Sequence, residues 1–298
     1  MVRLLSTLEQ PVKASPQSSS PIVVGGIGGS GTRVVVNLLQ AAGVVMGSRL
    51  NGSLDLLDFV PLLDAHVQRL LGAVRAADYK LTDLGASGRD DVATACREVI
   101  LRLQREAGGQ AWGWKNPRII YLLPFVCAVV PQMLFVHVVR DGRDMALSGN
   151  QQQLRAYGRH ILGHNRVDVV ASACFWQRVN AAVAAWCHRH LTGRYICLRY
   201  EDLLHDPASS AGRLLDFIAL ARPLPEGGRV AAIESWHARL VASPGIGRWR
   251  TAAPSLQESI FQGCAEGLSQ FGYLASGGTN RQPAADVSCT VGAGEGMP

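Results

Sequence analysis

Five of the seven residues from Gly25 to Gly31 are glycine. They stand between a short apolar run, Pro21–Gly25 (PIVVG), and a helix-type stretch that begins at Thr32 (TRVVVNLLQAAG). A glycine-rich turn from strand to helix presents successive backbone N–H groups and the positive end of the helix, which together cradle a phosphate or sulfate. Side chains there would block close approach of the ligand to the backbone. A tight turn without a ligand is the simpler alternative, and the density of glycine at a helix start weighs against it.

The loop is not that of an ordinary NTPase. Gly26 and Gly31 have the G-x-x-x-x-G spacing, but Thr32 stands where the lysine of a phosphate-binding NTPase loop belongs. A dinucleotide fingerprint fits no better. Gly26, Gly28 and Gly31 satisfy G-x-G-x-x-G, yet the acidic residue expected about 20 positions on is missing among Met46, Gly47 and Ser48.

Three further blocks carry residues suited to anions. FVHVVRDGRDMALSGN ends a β-type run on Arg140, with Ser148 in the helix-type segment that follows. WGWKNPR ends another on Lys115, where Asn116–Pro117 stops further extension. RYICLRYEDLLHDP ends a third on Tyr200, and SPGIGRWRTAAP places Gly247, Arg248 and Arg250 around Trp249. Each alone has a plain explanation: a surface ion pair for Arg140–Asp141, a solvated strand-end lysine for Lys115.

Together and in this order, the blocks resemble the sulfotransferases that use 3′-phosphoadenosine 5′-phosphosulfate (PAPS), above all bacterial and tyrosylprotein-type members. GGSGTR resembles their 5′-phosphosulfate loop, which implies that Gly28, Gly29, Ser30, Gly31, Thr32 and Arg33 hold that group. Gly29 departs from the family, which places Lys or Arg there beside the bridging oxygen. The resemblance implies Arg140 and Ser148 at the 3′-phosphate, Tyr200 beside adenine, and Gly247, Arg248 and Arg250 in a loop closing over the nucleotide. The R-K-G triplet of the cytosolic animal enzymes is replaced by Ser243–Pro244–Gly245, so which arginine meets the 3′-phosphate stays open. Lys115, on a strand-end K-x-P of the family type, is expected to take the role that Gly29 cannot fill.

The implied reaction is sulfuryl transfer from PAPS to an acceptor hydroxyl or amine, leaving PAP and needing no metal. Charge grows on the leaving oxygen, so the protein supplies position and fixed positive groups. A base is also needed. Alignment of F-V-P-L-L with the tyrosylprotein type puts Asp55 in that role, with Asp58 and His66 as alternatives. His137, between Val136 and Val138, reads as a core histidine or a sheet neighbour.

These residues need a frame that brings them to one edge. The apolar runs Pro21–Gly25, Ala111–Lys115, Met133–Val139 and Arg194–Arg199 predict strands. Helices are expected to start near Thr32, Leu54, Asp90, Gly142, Val167, Ala208 and Ser255, the longest running to about His190. That alternation predicts an α/β fold, a parallel β-sheet flanked by helices on both faces, and the resemblance makes it a P-loop NTPase-like sulfotransferase fold. Ligands then bind at the carboxyl ends of the strands.

With 298 residues, nearly half of them apolar, the chain can bury a sizeable core. One domain is expected over residues 21–275, between flexible segments 1–20 and 276–298. The net charge of +6 is spread along the chain, which suits an anionic ligand but not specifically nucleic acid. Seven unpaired-looking cysteines, no signal-type N-terminus and no run long enough to span a bilayer predict a cytoplasmic protein with reduced thiols. The partner expected is a small-molecule acceptor, whose pocket would draw on residues 48–66, 80–90 and 151–168; oligomeric state is not legible. Two alternatives carry weight: a PAPS- or PAP-binding protein without catalysis, and a P-loop kinase or NTPase.

Overall fold

The computed structural model describes residues 20–86, 90–221, 226–240 and 245–274. The expected flexible ends, Ser20 apart, and Cys289 lie outside them. Four strands, β1 (Ile22–Gly25), β2 (Gly113–Lys115), β3 (Leu134–Val139) and β4 (Tyr195–Arg199), form one parallel sheet in the order β2-β1-β3-β4. All four expected strands are present, each starting one or two residues later than its apolar run.

The register decides where the chemistry lies. Val24 is level with Lys115, Gly25 with His137, and Val139 with Arg199. Because every strand points the same way, Gly25, Lys115, Arg140 and Tyr200 leave the sheet along a single edge.

Helices fill the crossovers. The chain runs α1 (Thr32–Ala41), α2 (Val60–Gly72), α3 (Leu81–Ala86), α4 (Asp90–Ala107) and α5 (Leu123–Val129) before β3. Between β3 and β4 come α6 (Gly142–Ala146), α7 (Gln152–Leu162) and α8 (Val169–His190). After β4 follow α9 (Asp202–His205), α10 (Pro207–Ile218), α11 (Glu226–His237) and α12 (Pro254–Gln270).

Strand side chains alternate between two cores. Val23, Trp114, Phe135 and Val139 pack with apolar side chains of α2, α4, α5, α7, α8 and α12. Ile22, Val24, Val136, Val138 and Leu198 pack with those of α1, α10 and α11. Both faces of the sheet are therefore covered, which explains strands that are apolar throughout.

Helices α3, α5, α9 and α11 are additional to the expected set, and two further differences bear on the cleft. No helix begins at Leu54, which has φ +62° in a loop; a 3₁₀ turn at Leu57–Phe59 leads into α2 instead. Asn51 causes this, because its side-chain oxygen accepts the N–H groups of Ser53 and Asp55, both at 2.9 Å, and holds the chain in a turn. The second difference is α7, a helix within 151–168 where only pocket-lining sequence was foreseen. Other starts agree to within two residues, and Asp168 and Asp206 cap α8 and α10 by accepting N–H bonds from Ala171 and Ser209. The six described cysteines are free thiols.

Candidate active site

A cleft of about 940 Å³ opens at the carboxyl edge of the sheet. Gly28, Gly29, Gly31, Thr32 and Arg33 line one side of it, with Lys115, Arg140, Tyr200 and Asp55. The loop after β1, the ends of β2, β3 and β4, and the segment before α2 thus meet there.

Gly31 caps α1 with φ +92°, a conformation that favours glycine. It also has no room for a side chain, since a Cβ would lie 2.1 Å from the Tyr200 ring. Tyr200 is held there by its own N–H, which donates to Val139 O at 2.8 Å. Gly29 is exposed with φ +96°, a backbone on which a lysine or arginine would be strained. Ser30 sits inside the loop, not on the cleft wall. Its N–H closes a turn onto Ile27 O at 3.0 Å, and its buried hydroxyl has no hydrogen-bond partner among the described residues.

Arg140 is 7 % exposed, and its guanidinium lies 5.1 Å from the centroid of the Tyr200 ring. Its Nε and Nη2 have no acceptor among the described residues. Leaving buried charged donors unmatched costs several kcal/mol by the usual desolvation penalty, about 1–3 kcal/mol per group and more when charged. Such an arrangement calls for an anionic ligand, and the glycine-loop N–H groups across the cleft fit the same need.

The other end of the cleft is different. Lys115 is 1 % exposed, and its ammonium donates to Ser53 O at 2.6 Å and to Asp55 Oδ1 in a short ion pair. Burial pushes the Lys115 pKa down, against the pull of Asp55, and the Arg33 charge adds to the lowering. Asp55 Oδ2 accepts from Asn51 Nδ2 at 3.1 Å. Asn51 therefore shapes the turn and fixes the carboxylate at once. Asn51 was not foreseen, although Asn-Gly-Ser before the acidic residue is a recognisable turn signal.

The alternatives to Asp55 are placed elsewhere. Asp58 is buried between Arg49 at 2.8 Å and Arg102 at 2.5 Å, and His66 contacts Arg69 at 2.6 Å; neither lines the cleft. His137 is a core residue as expected, bonded to Tyr195 at 3.1 Å and Asn180 at 3.0 Å, with burial lowering its pKa to about 4.

Ser148, Gly247, Arg248 and Arg250 are not on the cleft wall. Ser148 Oγ accepts from Asn150 N at 3.2 Å, one step behind Asn150, which does line the cleft. Gly247 and Trp249 are bonded to Asp144, and Arg248 donates to Gly245 O and Leu147 O, so this segment lies against α6. Of the segments expected to shape an acceptor pocket, residues 48–66 and 151–168 contribute lining residues, and the described residues of 80–90 do not. The lining also includes Arg118, unforeseen by sequence, which is bonded to Asp64 at 2.5 Å and Tyr157 at 3.4 Å.

The sequence profile of the sulfotransferase family matches residues 21–223, a span that runs from β1 past β4 and takes in every strand. The chain belongs to the sulfotransferase family. Its fold is similar to that of a sulfotransferase from Mycobacterium avium, at 13 % identity over 85 % of this chain and 77 % of that one, with a TM-score of 0.51. It is also similar to the sulfotransferase domain of the olefin synthase of Synechococcus PCC 7002, at 17 % identity over 88 % and 98 % of the two chains, with a TM-score of 0.47. No curated protein matches the sequence. At 13 % identity the likeness to the Mycobacterium avium protein speaks for fold alone, and that fold agrees with the family membership.

Proposed function

We propose that this family member transfers the sulfuryl group of PAPS to a hydroxyl or amine of a small-molecule acceptor in the cytoplasm. The observation that carries the reading is the buried Arg140 guanidinium, with Nε and Nη2 unmatched beside Tyr200 and facing the same cleft as the glycine loop. PAPS supplies phosphate, sulfate and adenine groups that match guanidinium, backbone N–H and an aromatic ring in turn.

The chain's own residues divide the work. The cleft-facing N–H groups of Gly28, Gly29 and Gly31–Arg33, with the Thr32 hydroxyl, bind the 5′-phosphosulfate, and Arg140 binds the 3′-phosphate. Asp55 takes the acceptor's proton. Once protonated, Asp55 holds Lys115 less strongly, and the Lys115 ammonium becomes free to stabilise charge on the departing oxygen. In this scheme the ion pair couples proton removal to leaving-group stabilisation, and Arg33 supplies further positive charge.

The test is to incubate the protein with PAPS, without metal, and a set of hydroxylated and amine acceptors. Release of PAP with a matching sulfated product supports the reading. PAP binding without transfer to any acceptor would favour a nucleotide-binding protein, and magnesium-dependent ATP turnover would favour a kinase or NTPase.

A further inference from the structure

Asp144 is 1 % exposed and takes no part in the scheme above. Its two carboxylate oxygens accept backbone N–H groups from a distant segment, Gly247 N at 2.6 Å and Trp249 N at 3.1 Å. These two N–H groups open the 3₁₀ turn Arg248–Thr251, whose own cap is Gly247 at φ +73°. Asp144 thus caps, from α6, a turn that has no side-chain cap of its own.

A second contact ties the same two pieces. The Arg143 guanidinium lies 3.8 Å over the Trp249 ring and is held in turn by Asp141 at 2.7 Å. Arg248 adds a bond to Leu147 O at 3.3 Å, just past the end of α6. The strap 245–251, bearing Arg248 and Arg250, is in this way clamped to the short helix that starts two residues after Arg140.

We propose that Asp144 is a positioning residue for the donor nucleotide: it seats the 245–251 strap against α6, the helix that follows Arg140 directly, and donor affinity depends on that seat. The proposal rests on the PAPS reading above. Asp144 need not touch the ligand. A carboxylate suits the place because it accepts at both oxygens, whereas an amide of the same shape accepts at one and turns an N–H₂ toward the other strap N–H.

The test combines hydrogen exchange over residues 245–251 with calorimetric titration of PAP, in wild type, Asp144→Asn and Trp249→Ala. In Asp144→Asn, loss of one charge-assisted bond is expected to speed exchange across the strap and to weaken PAP binding about tenfold or more. Trp249→Ala removes the stacking contact without burying an unmatched group, and is expected to do both to a smaller degree. Faster exchange with PAP affinity within about twofold of wild type would overturn the proposal, because the contact would then be structural only. Unchanged exchange in Asp144→Asn would overturn it as well. If wild-type protein binds no PAP at all, the donor reading fails and takes the proposal with it, while strap exchange still reports whether Asp144 holds the turn.

Discussion

At the Arg140 end of the cleft, buried cationic donors have no acceptor among the described residues, whereas at the other end Lys115 is matched to Asp55. Both ends are built at strand termini of the same sheet, and both bury a cation almost completely. In the proposed reaction this difference separates binding from chemistry. An unmatched guanidinium gains most from a ligand's own charge. A matched pair gains little from ligand binding, and its charge becomes available only when the match is broken, as by a proton arriving at Asp55. Affinity and turnover should therefore be separable by mutation.

Lys115→Met offers the sharpest way to break the comparison. Loss of the buried Lys115 ammonium, to which the proposed reaction assigns the leaving-group charge, is expected to lower kcat by about 10²–10³-fold, with PAP affinity nearly unchanged; single-turnover rates beside a PAP titration check this. An equal loss in both would mean that the two ends are one binding site.

Asn51→Ala should follow with a smaller effect on the same side. Without the side chain, Asp55 loses one bond and its turn loses two, and a roughly tenfold fall in kcat is expected from bonds worth about 1 kcal/mol each. Apparent affinity for the donor should not move.

Gly31→Ala tests the donor end through packing. The added methyl meets the Tyr200 ring on a backbone at positive φ, which should cost about 1–3 kcal/mol and lower Tm by several degrees. Displaced Tyr200 should also weaken PAP binding.

The smallest effect expected near neutral pH comes from His137, away from both ends. Its folded pKa of about 4 lies below the ordinary 6.5, so the unfolded chain binds the proton first as pH falls. Its contribution is fully present above about pH 6.5 and declines towards pH 4, by about 3 kcal/mol in all. Urea unfolding at pH 7 and pH 5 should show the loss, and His137→Gln should flatten it.

Much of this arrangement was legible in the sequence because parallel strands end abruptly. Apolar runs that stop at Gly25, Lys115, Arg140 and Tyr200 announce both the sheet and the residues at its edge. The glycine loop is equally plain, since Gly31 answers to two constraints, positive φ and the Tyr200 ring. The Lys115–Asp55 pairing was not legible. It joins residues far apart in the chain and depends on the turn that Asn51 makes, which also displaced the helix start expected at Leu54. Helix α7 was missed because its buried face includes Gln153, Tyr157 and Gly158, a mixture that hides the apolar period. The strap residues Gly247, Arg248 and Arg250 carry a family pattern, yet their place against α6 is set by Asp144, more than 100 positions away.

The central claim is that the unmatched Arg140 guanidinium marks a nucleotide 3′-phosphate site, and titration of PAP into wild type, Arg140→Ala and Arg140→Lys without metal tests it most directly. Tight wild-type binding, lost by about 100-fold in Arg140→Ala and only partly restored in Arg140→Lys, is the predicted result for a forked, charge-assisted contact. Wild-type binding that survives Arg140→Ala, or no PAP binding where ATP with magnesium does bind, would contradict it.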